Sequence, residues 1–300
     1  MSSFKKTVKK ILVWMLFYSG LPFIFREFIQ KKKITILVLH DPDVAIGSGY
    51  FVWLSRHYNI ISLDKYLSTR VRGFTTRLPP KSLIITLDDG HIGNYKLLPL
   101  VKQYNIPLTI FLCSGIINTS RHYWFRFSGL PSSSESLKVI ANHDRLRILS
   151  ESGFYPEKEF AYPQALNRNQ ILEMKEYINF QTHTIFHPCL PQCSDEESLI
   201  EIEQSKRELE QKFNLSINAL AYPNGDYSER DIQFAQKTGY FCGLTVGHGF
   251  NDGKTDLFKL RRLSVSDRDS MRLLAIKASG IWAFLKYVLG KLTGIKESIK

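Results

Sequence analysis

The stretch Leu83-Ile84-Ile85-Thr86-Leu87 offers almost no polar face, and it stops abruptly at Asp88-Asp89-Gly90. A strand of this kind needs apolar cover on both sides, which a parallel sheet sandwiched by helices provides and a half-solvated antiparallel sheet does not. The two acids then fall at the carboxyl end of a buried strand, where parallel α/β folds gather their chemistry.

The rest of the middle of the chain follows the same alternation. Residues 33–39 read as a strand ending at His40-Asp41-Pro42, followed by a helix near 50–56, a short strand at 58–63, a helix at 63–69 and a Pro79-Pro80 break. A helix is expected over 94–104 and a second buried strand over 108–113. Residues 118–169 are irregular and read as an insertion or an elaborated crossover. Beyond them come a helix at 168–177, the segment Gln181-Thr182-His183, and a long helix opened by Ser194 with Glu197 three residues on, a capping box. Strands at 219–223, 242–246 and 260–265 enclose a helix at 228–239. Repeated strand–helix units favour a parallel sheet or barrel.

Charge separates the ends from this middle. The chain carries a net +12, and residues 1–33 hold eight basic residues against Glu27 alone, while residues 268–300 hold seven against Asp269 and Glu297. These two segments account for the whole excess. Residues 34–267 are formally neutral, which argues against a nucleic-acid-binding face on the domain. Both ends are also apolar. Residues 11–25 form an uncharged run between lysine clusters, short of the roughly 20 residues needed to span hydrocarbon. No small-residue cleavage site follows that run. Residues 273–289 interleave Leu, Ile, Trp and Phe with Lys277 and Lys286, the pattern of an interfacial helix. The expected organisation is a membrane-associating segment at 1–33, a domain at 34–267 and a basic amphipathic helix at 268–300. Attachment is expected to be peripheral on the cytoplasmic face, with an N-terminal anchor outside the cytoplasm as the alternative. Cys113, Cys189, Cys193 and Cys242 show neither a zinc-ribbon spacing nor a disulfide framework.

Two groups carry candidate chemistry. Asp88 and Asp89 are adjacent carboxylates whose repulsion and desolvation ask for a cation or a proton, although an Asp-Gly turn capping the next segment is the plainer reading of the same residues. His183 and His187, four residues apart, would sit on one side of a helical turn, an arrangement that binds transition metals. Two histidines and a carboxylate with positions left open describe a catalytic rather than a structural metal site.

Thr86-Leu87-Asp88-Asp89-Gly90, His183-Thr184-Ile185-Phe186-His187-Pro188 and Ala221-Tyr222-Pro223-Asn224-Gly225, in that order, resemble the three motifs of the polysaccharide deacetylase family (NodB homology, carbohydrate esterase family 4), in its exopolysaccharide-type branch. The resemblance covers roughly residues 34–265. It implies a deformed (β/α) barrel of about seven strands, flanked here by the amphipathic terminal helices. It also implies a divalent metal, commonly zinc, and hydrolysis of an acetyl group, most often N-acetyl, on a sugar. Asp89, His183 and His187 would hold the metal, Asp88 would be the general base, and the backbone N–H of Tyr222 would help hold the oxyanion. The Tyr222 ring, Pro223, His40 and His91 are expected among the substrate contacts.

The sequence departs from the pattern in two places. No Arg precedes Tyr222, and the late Leu-x-His motif has no match; Arg261-Arg262-Leu263 stands in that region. His248 is the only histidine after His187, hence the only late substitute for the acid that protonates the leaving amine. The expected substrate is an N-acetylated polysaccharide or a lipid-linked glycan of a bacterial envelope. A carbohydrate-binding scaffold of polysaccharide biosynthesis with weakened turnover, and a deformylase of a lipid-linked aminosugar, remain open beside it.

Overall fold

The computed structural model describes residues 3–71, 78–247 and 249–293. Eight parallel strands carry the fold: β1 (Ile34–Leu39), β2 (Asn59–Ile60), β3 (Ser82–Leu87), β4 (Leu108–Leu112), β5 (Ile178–Thr182), β6 (Ala219–Ala221), β7 (Cys242–Leu244) and β8 (Leu263–Ser264). Their order is β7-β6-β5-β4-β3-β1-β8, with β2 pairing beside the start of β3. The segment that ends the series touches both edges, since Leu260 bridges to Leu244 on β7 while Leu263 and Ser264 pair with Leu37 and Val38 of β1. That double contact bends the sheet into the deformed barrel that the motif order implied. Every residue of β1, β3 and β4 is buried, as strands covered on both faces require.

Helices α3 (Val44–His57), α4 (Leu63–Val71), α5 (Leu98–Tyr104), α8 (Arg168–Met174), α9 (Asp195–Phe213) and α10 (Glu229–Lys237) fill the crossovers. The expected helix at 94–104 is α only from Leu98; Ile92–Leu97 is a 3-10 segment, and Pro99 lies in the first turn of α5. Pro is tolerated at such a start because its missing N–H would have had no partner there. The capping box at Ser194 and Glu197 is present and opens α9. The irregular stretch after β4 contains α6 (Ser134–Leu137) and α7 (Asn142–Glu151). It has its own small core around Trp124, Leu137, Leu149 and Phe154, closed by Cys189.

The two ends of the chain meet. Helix α1 (Ser3–Tyr18), followed by the short α2 (Leu21–Ile24), packs on α11 (Met271–Ala278), next to α12 (Ile281–Thr293), and Val13 and Leu16 join Leu273, Ile276 and Ile281 in a separate apolar cluster. Among the described residues, nothing covers their outer faces. Among the described residues, 14 of the 22 exposed large hydrophobic side chains lie on residues 8–29 and 271–287, so the exposed apolar surface is concentrated at this one place. No single helix there is long and apolar enough to cross a membrane; α1 and the helical segment to Lys32 form a pair bent by 55°.

Candidate metal centre

The site is built where β3, β5 and the strand-end loops converge. Asp88 leaves β3 with its N–H on the Leu39 carbonyl of β1 (3.0 Å), which fixes it at the barrel mouth. Asp89 follows at φ 72° and Gly90 at φ 76°. Two consecutive left-handed residues reverse the chain tightly and turn the Asp89 carboxylate inward, and the second of them is the residue type with no steric penalty for it. His183 and His187 do not lie on a helical turn. They sit in a loop after β5 in which Thr184 (φ 69°) and His187 (φ 57°) are left-handed, and this loop, rather than helical periodicity, brings the two rings to 4.8 Å between centroids.

Glu201 on α9 braces that loop. Its carboxylate accepts the N–H groups of Ile185 (2.7 Å) and Phe186 (3.1 Å). Burial pushes its acid up to about 7 against the pull of those two amides. The N–H groups of Ser114 and Gly115 hold the carbonyls of Thr184 and Ile185 from the other side, and the Trp124 indole N–H reaches the His187 carbonyl (2.9 Å).

One ligand atom each from Asp89, His183 and His187 lie within 4.8 Å of one another, all three residues buried. Asp89 Oδ1 stands 3.6 Å from Nε2 of both histidines and has no hydrogen-bond partner. A buried carboxylate oxygen without a donor is costly, and a cation between it and the two nitrogens would satisfy it. The surroundings suit that role. His183 Nδ1 meets the Ala221 carbonyl at 2.7 Å, so Nδ1 carries the proton and the Nε2 lone pair faces the centre. Burial, then the neighbouring His183, pushes His187 down to about 3, leaving a neutral ring. Asp89 Oδ2 is held by His91 Nε2 at 3.0 Å. Burial opposes ionisation of Asp89, yet the hydrogen bond from His91 keeps its acid well below the usual carboxylate range.

Asp88 lies alongside, its Oδ2 3.7 Å from His183 Nε2. Its partner is Arg262, fully buried, whose Nη1 and Nη2 donate to Oδ1 (2.7 Å) and Oδ2 (2.8 Å). Nε of the same guanidinium donates to the Thr245 carbonyl (3.0 Å). Burial alone would raise the Asp88 acid; Arg262 first, then His183, bring it below the ordinary value. Sequence reasoning saw Arg262 only as part of a departure from the family pattern. The available signal was an arginine between Leu260 and Leu263 on a strand that enters a buried sheet.

The other expected residues are placed as follows. His40 is exposed at the end of β1, tied through its backbone to Asp267 and Asn94. His91 was expected to line the substrate pocket; it is instead 2% exposed, with Nε2 on Asp89 and Nδ1 accepting from Arg126 (3.1 Å), because the turn at Gly90 folds it behind the carboxylate. Tyr222 was expected to offer its N–H to an oxyanion. That N–H is committed to the Leu244 carbonyl (3.0 Å), since the pairing of β6 with β7 extends one residue past Ala221. The Tyr222 ring is also buried, its hydroxyl on the Phe258 carbonyl (3.1 Å) and its face on Tyr227, so it lines no open pocket. Pro223 is buried beside it. His248 lies outside the described residues.

The chain is 25% identical over 187 residues to YxkH of Bacillus subtilis (strain 168), a match that takes in 62% of this chain but only 52% of that protein. Its fold resembles the Streptococcus pyogenes deacetylase PplD, solved in complex with acetate, with a TM-score of 0.58 at 23% identity over 82% of this chain and 98% of the other. IcaB from Ammonifex degensii superposes with a TM-score of 0.59 at 16% identity over 82% and 97% of the two chains. The sequence profile described as polysaccharide deacetylase matches residues 75–243, more than half of the chain and the span that holds Asp88, Asp89, His183 and His187. The chain belongs to the polysaccharide deacetylase family.

Proposed function

We propose that this protein is a zinc-dependent deacetylase that removes an acetyl group, most often N-acetyl, from a sugar of a bacterial envelope or exopolysaccharide glycan, including lipid-linked forms. One observation carries the reading: a partnerless buried Asp89 oxygen faces two histidine nitrogens, with a second acid, Asp88, held ionised 3.7 Å from one of them. A divalent cation held by Asp89, His183 and His187 would supply Lewis acidity toward the acetyl oxygen and toward water.

The remaining work falls to the chain itself. Asp88, kept anionic by Arg262, accepts the proton of the attacking water. Arg262 also locks the carboxylate plane by its two-point contact, so Asp88 presents a fixed lone pair. His91 fixes the orientation of Asp89, and Glu201 fixes the loop that carries both histidines. His248 is the candidate proton donor to the leaving amine, and His40 the candidate substrate contact at the rim.

The exposed apolar faces of α1, the segment to Ile29 and α12, with Lys9, Lys10, Lys31 and Lys32 beside them, support peripheral docking on an anionic membrane. The cytoplasmic leaflet is the surface that such basic segments favour.

The experiment is acetate release from N-acetylated envelope glycans by zinc-loaded protein. Asp88→Asn is expected to keep stoichiometric zinc and to lose about 10²–10⁴-fold in rate. Asp89→Ala and His187→Ala are expected to lose the metal. Undiminished turnover in Asp88→Asn overturns the base assignment. Formate instead of acetate moves the reading to a deformylase, and bound glycan without either product moves it to a scaffold.

A further inference from the structure

The elaborated stretch after β4 returns to the metal centre with four consecutive side chains. The Tyr123 hydroxyl donates to the Asp89 carbonyl (3.0 Å), and the Trp124 indole N–H to the His187 carbonyl (2.9 Å). The Phe125 ring centroid lies 4.7 Å from that of His187. Arg126, the next residue, donates from Nη1 to Nδ1 of His91 (3.1 Å), whose Nε2 stands 3.0 Å from Asp89 Oδ2. Tyr123, Trp124, His91 and Asp89 are buried, whereas Arg126 is exposed. An exposed cation is thus joined to a buried metal-ligand candidate through a single buried ring.

The chemistry of the three groups fixes where the proton sits. A guanidinium has donors and no acceptor, so His91 Nδ1 must present its lone pair to Arg126. The imidazole then carries its proton on Nε2, which donates to Asp89 Oδ2. With Oδ2 taken, Oδ1 is the oxygen left facing Nε2 of His183 and of His187, 3.6 Å from each and without a donor of its own. Without the guanidinium, the His91 proton is free to move to Nδ1, and a lone pair on Nε2 then meets the Oδ2 lone pairs. The carboxylate would turn to relieve that repulsion, and Oδ1 would leave the place where the three ligand atoms converge.

We propose that Arg126 is a positioning residue for the metal centre: it fixes the His91 proton on Nε2 and thereby selects which oxygen of Asp89 meets the metal. The proposal rests on the metal reading above and adds to it a residue from outside the strand-end loops. It gives the elaborated stretch a part in metal binding as well as a small core of its own.

The test is the zinc affinity of the full chain, measured by competition with a chromophoric chelator, together with the visible absorption of the cobalt(II)-substituted protein, which reports the ligand set and its geometry. Arg126→Met keeps the apolar stem of an exposed side chain and removes the donor, so the melting temperature of the metal-free chain is expected to stay at the wild-type value. Zinc affinity is expected to fall about 10- to 100-fold and the cobalt bands to shift. His91→Phe is expected to lose as much. Adding Arg126→Met to His91→Phe is expected to lose no more than about a further twofold, because the arginine acts through that ring. The exposed position of Arg126 keeps the single variant decisive even where His91→Phe does not fold. Wild-type zinc affinity with unshifted bands in Arg126→Met overturns the proposal, and so do losses that multiply in the double variant. A weakened affinity with unshifted bands and a lowered melting temperature marks a purely structural role and overturns it too. A wild-type chain that holds no zinc overturns the metal reading and this proposal with it. Affinity lost as expected in Arg126→Met, with neither acetate nor formate released by the zinc-loaded wild type, leaves the positioning role standing while the deacetylase reading falls.

Discussion

Asp88 is a carboxylate that its own burial would protonate, and Arg262 is the group that prevents it. Removing one partner of a buried pair leaves the other uncompensated, so Arg262→Met is expected to cost about 3–5 kcal/mol at pH 7. The pH dependence gives the sign. In the wild type the Asp88 acid is depressed on folding, so the pair stabilises the protein above the unfolded value of about 3.9 and loses that contribution as pH falls through the folded value. In Arg262→Met burial prevails and the acid is raised, so the deficit against wild type should be largest near pH 7 and smallest near pH 4. The acid limb of acetate release should move to higher pH together with it. Melting temperatures and rates measured from pH 4 to 8 check both, and an unmoved acid limb would sink the assignment of Arg262 as the group that keeps Asp88 ionised. The pairing was not legible in the sequence because 174 positions separate the partners and no local rule links them. The gathering of Asp89, His183 and His187 was legible through the order of the three motifs; apolar patterning located the strand end before Asp89, whereas the strand Ile178–Thr182 before His183 carries Asn, Gln and Thr and gave no such signal.

Apolar strands such as β3 and β4 were readable to within a residue because burial on both faces leaves no polar position to blur their limits. Short elements were not. The expected strand at 58–63 is only Asn59–Ile60, and the expected strand at 260–265 pairs only at Leu263–Ser264 beyond the Leu260 bridge. Pairing in the barrel wall, not composition, decides those lengths. The two-histidine spacing suggested a helix because i and i+4 meet there, but two left-handed residues achieve the same meeting in a loop. Such turns depend on tight backbone geometry. At Gly90, φ is 76° and an added Cβ would lie 2.5 Å from Leu112 Cδ2. Gly90→Ala therefore combines a left-handed strain of about 1–2 kcal/mol with overpacking of about 1–3 kcal/mol. It should also weaken zinc retention, because Asp89 is the preceding link of the same turn. Gly153→Ala is the control: its φ is 82°, but nothing lies within 4 Å of the added carbon, so only the strain remains. Chemical denaturation and zinc titration of the two variants separate the effects, and equal losses in both would show that the Leu112 contact does not matter.

Charge at the scale of the whole chain was legible, since the excess sits in the first 33 and last 33 residues and leaves the barrel neutral. That the two ends form one surface was not, because α1 and α11 are some 250 residues apart and meet only through tertiary packing. This packing divides the apolar residues of the ends into two sets with different duties. Val13, Leu16, Leu273 and Ile276 are buried between the helices, whereas Trp14, Met15, Phe28 and Phe284 face outward. Substituting the outer set should therefore alter membrane docking without altering the fold, which deleting the whole segment could not do cleanly. The full chain is expected to co-float with vesicles containing about 30% anionic phospholipid and to bind neutral vesicles more weakly, because each lysine near the surface adds about 1 kcal/mol of attraction. Raising salt to about 1 M shortens the screening length from about 10 Å to about 3 Å, so binding should fall but not vanish, the apolar part being insensitive to it. Trp14→Ser with Phe28→Ser should remove that salt-resistant remainder while the melting temperature and zinc content stay at wild-type values. Binding that is equal on neutral and anionic vesicles removes the electrostatic half of the argument, and a double variant that binds like wild type removes the apolar half. If both halves hold, the terminal helices set where the barrel sits and the barrel alone sets what it does.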